Sequence, residues 1–358
     1  MLLLRWDLDR TYLDTDIHSV SGLVRAAVET ASQKRAIPGA PALVQALLAR
    51  PRPTTFSVLS GSPTQLREVL MARLALDGLR PESLILKDNL RNLRRGRLAA
   101  LRGQLGHKLP HLLADRLTWP ASTRELLFGD DAEVDVLVYG LYAGLVEGTV
   151  TAGEADAVLG EAGAYADQRA DLRRSLRRLH PAPAVEGIFI RLDVGHPTAS
   201  LEAADGRAMA VHAWSQAAMR LVETRHLDPE DAQRVFEAEG STPRDVAGLL
   251  QDAVRRGWVG HPTASRFLQM APSTWSLAAD PALARLPTAL PDRPPAVADW
   301  IAQLRALRTE TTAAGRRDPR REPIAVRSER STSKADRSPA GAQDGPAATP
   351  SDSAGLEP

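Results

Sequence analysis

Short apolar runs alternate with stretches of helical period along residues 1–148, and this alternation limits the chain to few architectures. Leu2–Asp7, Thr54–Leu59 (TTFSVL), Ser83–Leu86 (SLIL) and Glu125–Phe128 (ELLF) read as strands. Between them, Ser19–Lys34, Ala40–Ala49, Pro63–Ala75 and Val134–Val146 read as helices. In the first of these helices Val20, Leu23, Val24, Ala27 and Val28 recur at helical spacing. A Pro-Gly turn at Pro38-Gly39 precedes the second. Strands separated by helices make βαβ units, so the expected class is α/β, with a parallel sheet flanked by helices.

The remainder is organised differently. Residues 151–179 read as a charged helical hairpin, and Gly187–Leu192 (GIFIRL) is the strongest later strand. Residues 205–275 read as mostly helical. Asp228-Pro229-Glu230-Asp231 and Thr242-Pro243-Arg244-Asp245 each offer an N-cap, a first-turn proline and an acid near N3. Gly257 is placed to end the second of these helices. The expected organisation is a first domain over 1–195 with a helical insertion at about 150–180, a helical region over 196–308, and a tail over 309–358. That tail is polar and lacks any apolar period, so disorder is expected. The stretch GHPTAS occurs twice, at Gly195–Ser200 and Gly260–Ser265, but its flanks do not match, which argues against an internal repeat.

Charge and composition exclude several classes. Forty-five basic residues against 44 acidic ones give no global field, so no nucleic-acid partner is expected. The absence of cysteine removes disulfides, thiolate metal sites and cysteine nucleophiles. No apolar run approaches the roughly 20 residues of a membrane span. The start, MLLLRWDLD, turns acidic too early for a secretory signal. A cytoplasmic location is expected, with peripheral contact at a membrane as an option. Lys87, Arg91, Arg94, Arg95, Arg97, Arg102 and Lys108 form a basic stretch interrupted only by Asp88. It is either a solvated face or an attraction for anionic head groups, at roughly 1 kcal/mol per charge.

The residues that carry chemistry stand at strand ends. RWDLDRTYLDTD places Asp7 and Asp9 one residue apart behind the first strand, where like charges repel. FSVLSGSP puts Ser60 where the second strand stops, and GHKLPHLL puts Lys108 at an expected helix start. LLFGDDAEVD ends another strand on Gly129, Asp130 and Asp131, with Glu133 and Asp135 just beyond. In a parallel sheet these strand ends share one edge, and ligands bind in the crevice there. The collection suits phosphoryl transfer, in which a divalent cation and a lysine neutralise charge. Asp7 and Asp130 would hold Mg²⁺, a hard ion that prefers oxygen ligands, and the metal would offset the repulsion. Ser60 would hydrogen-bond a phosphoryl oxygen, with Lys108 as a point charge on that group. Asp131 either ligates the metal or supports Asp130. Glu133 and Asp135 either surround the ligands or are first-turn acids favoured by a helix dipole. Thr11 and Asp14 shape the turn after Asp7 or cap local backbone. Ser62, before Pro63, reads as a helix N-cap. His107, His196 and His261 have no partner at metal-ligand spacing, and Trp214, Trp258 and Trp275 read as packing residues.

The order Asp7-Leu8-Asp9-Arg10-Thr11, Ser60, Lys108, then Gly129-Asp130-Asp131 with Asp135 resembles the four motifs of the haloacid dehalogenase superfamily of aspartyl-phosphate phosphatases. VLSGSPTQL, GHKLPHLL, LLFGDDAEVDVLVYGLYAGL and GIFIRL are similar, more narrowly, to segments of the actin-patch-associated phosphatidate phosphatase family, relatives of the lipins. The resemblance implies a Rossmann-like sheet and a catalytic set of Asp7, Asp9, Ser60 and Lys108. It implies that Asp7 is the nucleophile that forms an aspartyl-phosphate. Asp9 would protonate the leaving oxygen and then activate water. The implied metal set is Asp7, Asp9 through its backbone carbonyl, Asp130 and Asp131. Two positions depart from the pattern: Asp131 stands where a serine is usual, and Arg10 where the narrower family has an acid and the superfamily often a glycine. The span between Ser60 and Lys108 leaves no room for a large cap. By analogy, an open site favours a bulky substrate such as a lipid at a surface. The expected activity is that of a Mg²⁺-dependent phosphatase, with phosphatidate as substrate by resemblance. The alternatives are a phosphatase for a soluble or protein phosphate, or a silent phosphate- or lipid-binding module.

Overall fold

The computed structural model describes residues 1–15, 29–87, 102–131, 135–193 and 208–270. The apolar runs become β1 (Leu2–Trp6), β2 (Thr54–Pro63), β3 (Ser83–Lys87), β4 (Arg124–Asp130) and β5 (Val185–Arg191), joined by β6 (Ala208–Val211). All pair in parallel, in the order β3-β2-β1-β4-β5-β6. Trp6 stands opposite Val58 on one side and Phe128 on the other. The chain builds outward from β1 to β3, then returns to place β4 on the other side of β1. A crevice therefore opens between the carboxyl ends of β1 and β4, the switch point of a doubly wound sheet.

Ten helices are described: α1 (Ala40–Leu48), α2 (Arg67–Leu76), α3 (Arg102–Arg116), α4 (Asp135–Glu147), α5 (Ala152–Glu161), α6 (Ala166–Leu176), α7 (Trp214–Glu223), α8 (Pro229–Glu239), α9 (Pro243–Arg255) and α10 (His261–Met270). Strand alternation sends Leu2, Leu4, Trp6, Phe128 and Val211 to one face, where α1, α2 and α7 to α10 cover them. Leu59, Leu127, Ile188 and Ile190 face the other way, under α3 to α6. Both faces are buried, as a parallel sheet requires. On the first face Trp6 stacks on Phe128 at 4.3 Å between centroids, and Phe128 on Phe189 at 5.1 Å. Trp214 of α7 packs over Trp6 at 4.9 Å and donates its indole N–H to the Thr11 carbonyl at 3.2 Å.

Several expectations need correction. The region read as mostly helical contributes β6, whose four residues (AMAV) are buried on both faces and show no alternation to mark them. Packing also crosses residue 195, because α7 to α10 share one core with β1. The helix expected over Ser19–Lys34 falls partly on 16–28, outside the described residues, and residues 29–34 form a turn with Gln33 N–H on Thr30 O. The helix expected from Pro63 begins at Arg67, because β2 runs on through an irregular register to Pro63. The capping signal at Thr242 is realised, its hydroxyl accepting from Asp245 N, and Gly257 follows α9 at φ +75°. Gly39 opens α1 at φ +80°, and a Cβ there would lie 2.5 Å from Glu239 Cγ. The tail over 309–358, the first GHPTAS, Trp275, Leu90 to Leu101 and Arg91 to Arg97 lie outside the described residues. No helix among the described residues is long and apolar enough to cross a membrane.

A buried ionic network pins α3 and α4 to the sheet. Arg5 of β1 donates to Glu125 of β4 at 2.6 Å and to Asp115 of α3 at 2.5 Å. Arg116 lies 3.1 Å from the other Glu125 oxygen, and Tyr142 of α4 donates to Glu125 at 2.7 Å. Removing one charge from such a group strands its partners in a poorly solvated place. Glu125→Leu should therefore destabilise the fold by about 3–5 kcal/mol, read as a lower midpoint in urea unfolding. A change below about 1 kcal/mol would mean that the network contributes little.

Candidate active site

At the switch point, the ladder of β1 continues one residue, with Asp7 N–H on Phe128 O at 2.9 Å. This fixes Asp7 beside Asp130, the last residue of β4. Asp135, the first residue of α4, joins them, and carboxylate oxygens of all three lie within 4.8 Å of one another, all buried. Lys108 of α3 reaches in from the second face. Its ammonium is fully buried, 2.8 Å from Asp7 Oδ1, and ion-paired with Asp135. The Thr11 hydroxyl faces Asp130 Oδ2 at 3.0 Å and Asp7 Oδ2 at 3.4 Å. Among the described residues, three carboxylates and one ammonium meet in this buried place. The donor set is all oxygen and close-set, which fits a hard divalent cation such as Mg²⁺.

Asp9 stands apart from this cluster. Thr15 donates to its Oδ1 at 3.0 Å, while Ser60 and Ser62 donate to its Oδ2 at 2.9 and 2.7 Å. The turn that presents it is tight, with Tyr12 and Leu13 N–H groups both on Leu8 O and Arg10 N–H on Leu13 O. Arg10 takes φ +61°, a left-handed conformation that disfavours side chains. This explains why glycine suits the position in the superfamily the motifs resemble. Here Arg10 is tied down instead. Its guanidinium pairs with Asp193, Arg191 donates to its carbonyl at 3.0 Å and to Asp193 at 2.9 Å, and Asp193 N–H donates to Asp131 at 2.6 Å.

Asp7, Asp130 and Lys108 converge as the strand-end motifs imply, whereas Ser60 bonds Asp9, outside that cluster. Other placements differ. Lys108 sits mid-helix and not at a helix start, because α3 runs through Pro110, a residue that ordinarily breaks a helix. Asp131 is outside the carboxylate cluster. Its Oδ1 receives Asp193 N–H, because successive residues at a strand end point to opposite sides. The Asp9 side chain is outside it too, held among hydroxyls. The third clustered carboxylate is Asp135, which sequence reasoning left open between a group around the ligands and a first-turn acid. Its signal was its position, five residues after Asp130 at the start of an apolar helix. Glu133 lies outside the described residues. Asp14 is exposed, and its backbone N–H is on Arg35 O at 2.9 Å. Ser62 caps no helix. Gly129 lets α4 approach, since a Cβ there would lie 2.6 Å from Asp135 Oδ2 and 2.8 Å from the Tyr139 ring.

Fold and site together define a doubly wound α/β domain with a carboxylate-lined switch point. Residues 6–152 match the family model described as "Phosphatidate phosphatase APP1, catalytic domain", the family whose motifs the sequence resembles. The match assigns a phosphatase-type catalytic domain to that stretch, which is less than half of the chain. No curated protein and no solved structure matches the chain.

His107 precedes Lys108 on α3 and is 6 % exposed. Burial, with added repulsion from His111, Lys87 and Lys108, holds its imidazole down at about 3, against an ordinary value of 6.5. The folded chain thus keeps His107 neutral where the unfolded chain takes up a proton. That contribution to stability is complete above about 6.5 and is lost as pH falls toward about 3. Urea unfolding across this window should show a slope, up to roughly 1.4 kcal/mol per pH unit, that His107→Gln lacks. Equal slopes in the two proteins would contradict the neutral, buried imidazole.

Proposed function

We propose that this chain is a Mg²⁺-dependent phosphatase of the haloacid dehalogenase type that hydrolyses a phosphomonoester through an aspartyl-phosphate on Asp7, with phosphatidate as its substrate. The observation that carries the reading is the meeting of Asp7, Asp130, Asp135 and Lys108 at the β1/β4 switch point. The phosphatidate assignment rests on the family match over residues 6–152.

The chemistry follows from the placement of charge. A carboxylate that attacks a phosphate dianion meets Coulomb repulsion, and the Lys108 ammonium beside Asp7 lowers it. Asp7, Asp130 and Asp135, with the Asp9 carbonyl, would hold the metal, which when bound supplies further neutralisation and orients a phosphoryl oxygen. Asp7 forms the new P–O bond as the ester P–O bond breaks, and Asp9 gives a proton to the departing alcohol oxygen. Asp9 then takes a proton from the water that cleaves the aspartyl-phosphate, which releases inorganic phosphate and restores Asp7. Ser60 donates a hydrogen bond from its hydroxyl to a phosphoryl oxygen.

Phosphate release from phosphatidate in mixed micelles and from p-nitrophenyl phosphate tests this reading. Release should require Mg²⁺ and vanish in Asp7→Asn. Asp9→Asn should still bind Mg²⁺, measured calorimetrically, yet turn over about 10²–10⁴-fold more slowly. Undiminished turnover by Asp9→Asn would remove its role as acid and base. Anionic-vesicle binding without any phosphate release would favour a silent binding module.

A further inference from the structure

The grip on Asp9 contains more hydroxyls than a phosphate site needs. Its Oδ2 accepts from two serines, Ser60 at 2.9 Å and Ser62 at 2.7 Å, while Thr15 holds Oδ1. The two serines come from one local device. The β2 ladder is irregular between Leu59 and Pro63, and Ser60 and Ser62, two apart in extended chain, aim at the same oxygen. Gly61 between them lies under Gln104 of α3, where a Cβ would be 3.0 Å from the amide. Ser62 N–H donates to Ser60 Oγ at 2.9 Å, which orients the first hydroxyl. Pro63 is the N-cap of the next turn and no side chain caps it, so the Ser62 hydroxyl serves Asp9 and not a helix end.

A serine hydroxyl has one proton to donate. Ser60 therefore cannot hold Asp9 and bind a phosphoryl oxygen at once. When the Ser60 hydrogen bond turns to a phosphoryl oxygen, Ser62 remains as the serine on Asp9 Oδ2. We propose that Ser62 is a positioning residue for Asp9: it holds the carboxyl in line with the leaving oxygen while Ser60 turns to the phosphate. The inference rests on the phosphatase reading above. Proton transfer requires hydrogen-bond reach, and a displacement of about 1 Å can cost about 10²-fold in rate. Loss of Ser62 should thus weaken the step in which Asp9 acts as an acid, and leave phosphate binding by Ser60 in place.

Leaving-group dependence separates this role from a structural one. An alkyl ester needs its departing oxygen protonated, whereas p-nitrophenolate departs with little help. In Ser62→Ala, kcat/KM should fall about tenfold or more on an alkyl phosphate and less than about threefold on p-nitrophenyl phosphate. Ser62→Thr, which keeps the hydroxyl, should restore most of the alkyl activity. Ser62→Cys keeps the size with a weaker donor and should show the same split, so it serves as the test variant should Ser62→Ala fail to fold. Equal losses on the two esters, or no loss on either, would overturn the inference and leave the phosphatase reading standing. A wild-type protein inactive on both esters with Mg²⁺ present would overturn that reading and the inference with it.

Discussion

Three buried carboxylates cannot share a space of a few ångströms without compensating charge, and the Lys108 ammonium between Asp7 and Asp135 supplies part of it. Coulomb energies in such a place are several-fold larger than in water, so this pairing controls whether the acids can coexist. The same ammonium serves the fold and the site: it joins α3 to the end of β1 and to the start of α4, and it stands beside the proposed nucleophile.

The scaffold behind it is built to keep that ammonium in place. Asp115 lies seven residues after Lys108, two helical turns on, so both face the sheet. Asp115 pairs with Arg5, and Arg5 lies two residues before Asp7 on β1. The buried network and the carboxylate cluster are thus consecutive layers of one helix-to-strand contact. On the opposite face the Trp6, Phe128 and Phe189 rings form a rigid floor across three adjacent strands. Trp214 rests on it and holds the Thr11 carbonyl, while the Thr11 hydroxyl reaches the cluster. Through that contact, helices far along the chain help to shape the turn that follows Asp7.

Much of the fold was legible in the residues because its signals are local. Apolar runs of strand length separated by helical periods imply a parallel sheet, and acids at the ends of two such runs imply a shared edge. The signals failed where burial on both faces erased the pattern, as in the short strand Ala208–Val211. They failed again at Lys108, read as a helix start but set within a helix from Arg102, and at Ser62, where a preference for capping gave way to Asp9.

The order of motifs along the chain therefore determined the sheet, its edge and the pairing of Asp7 with Asp130, because strand direction and strand ends are properties of short segments. Tertiary structure alone decided which acid of GDDAEVD completes the cluster. A helix start carries Asp135 inward while the strand end turns Asp131 away toward Asp193. It alone decided, too, that Ser62 meets Asp9, fifty-three residues apart, since no local rule records a contact between different strands.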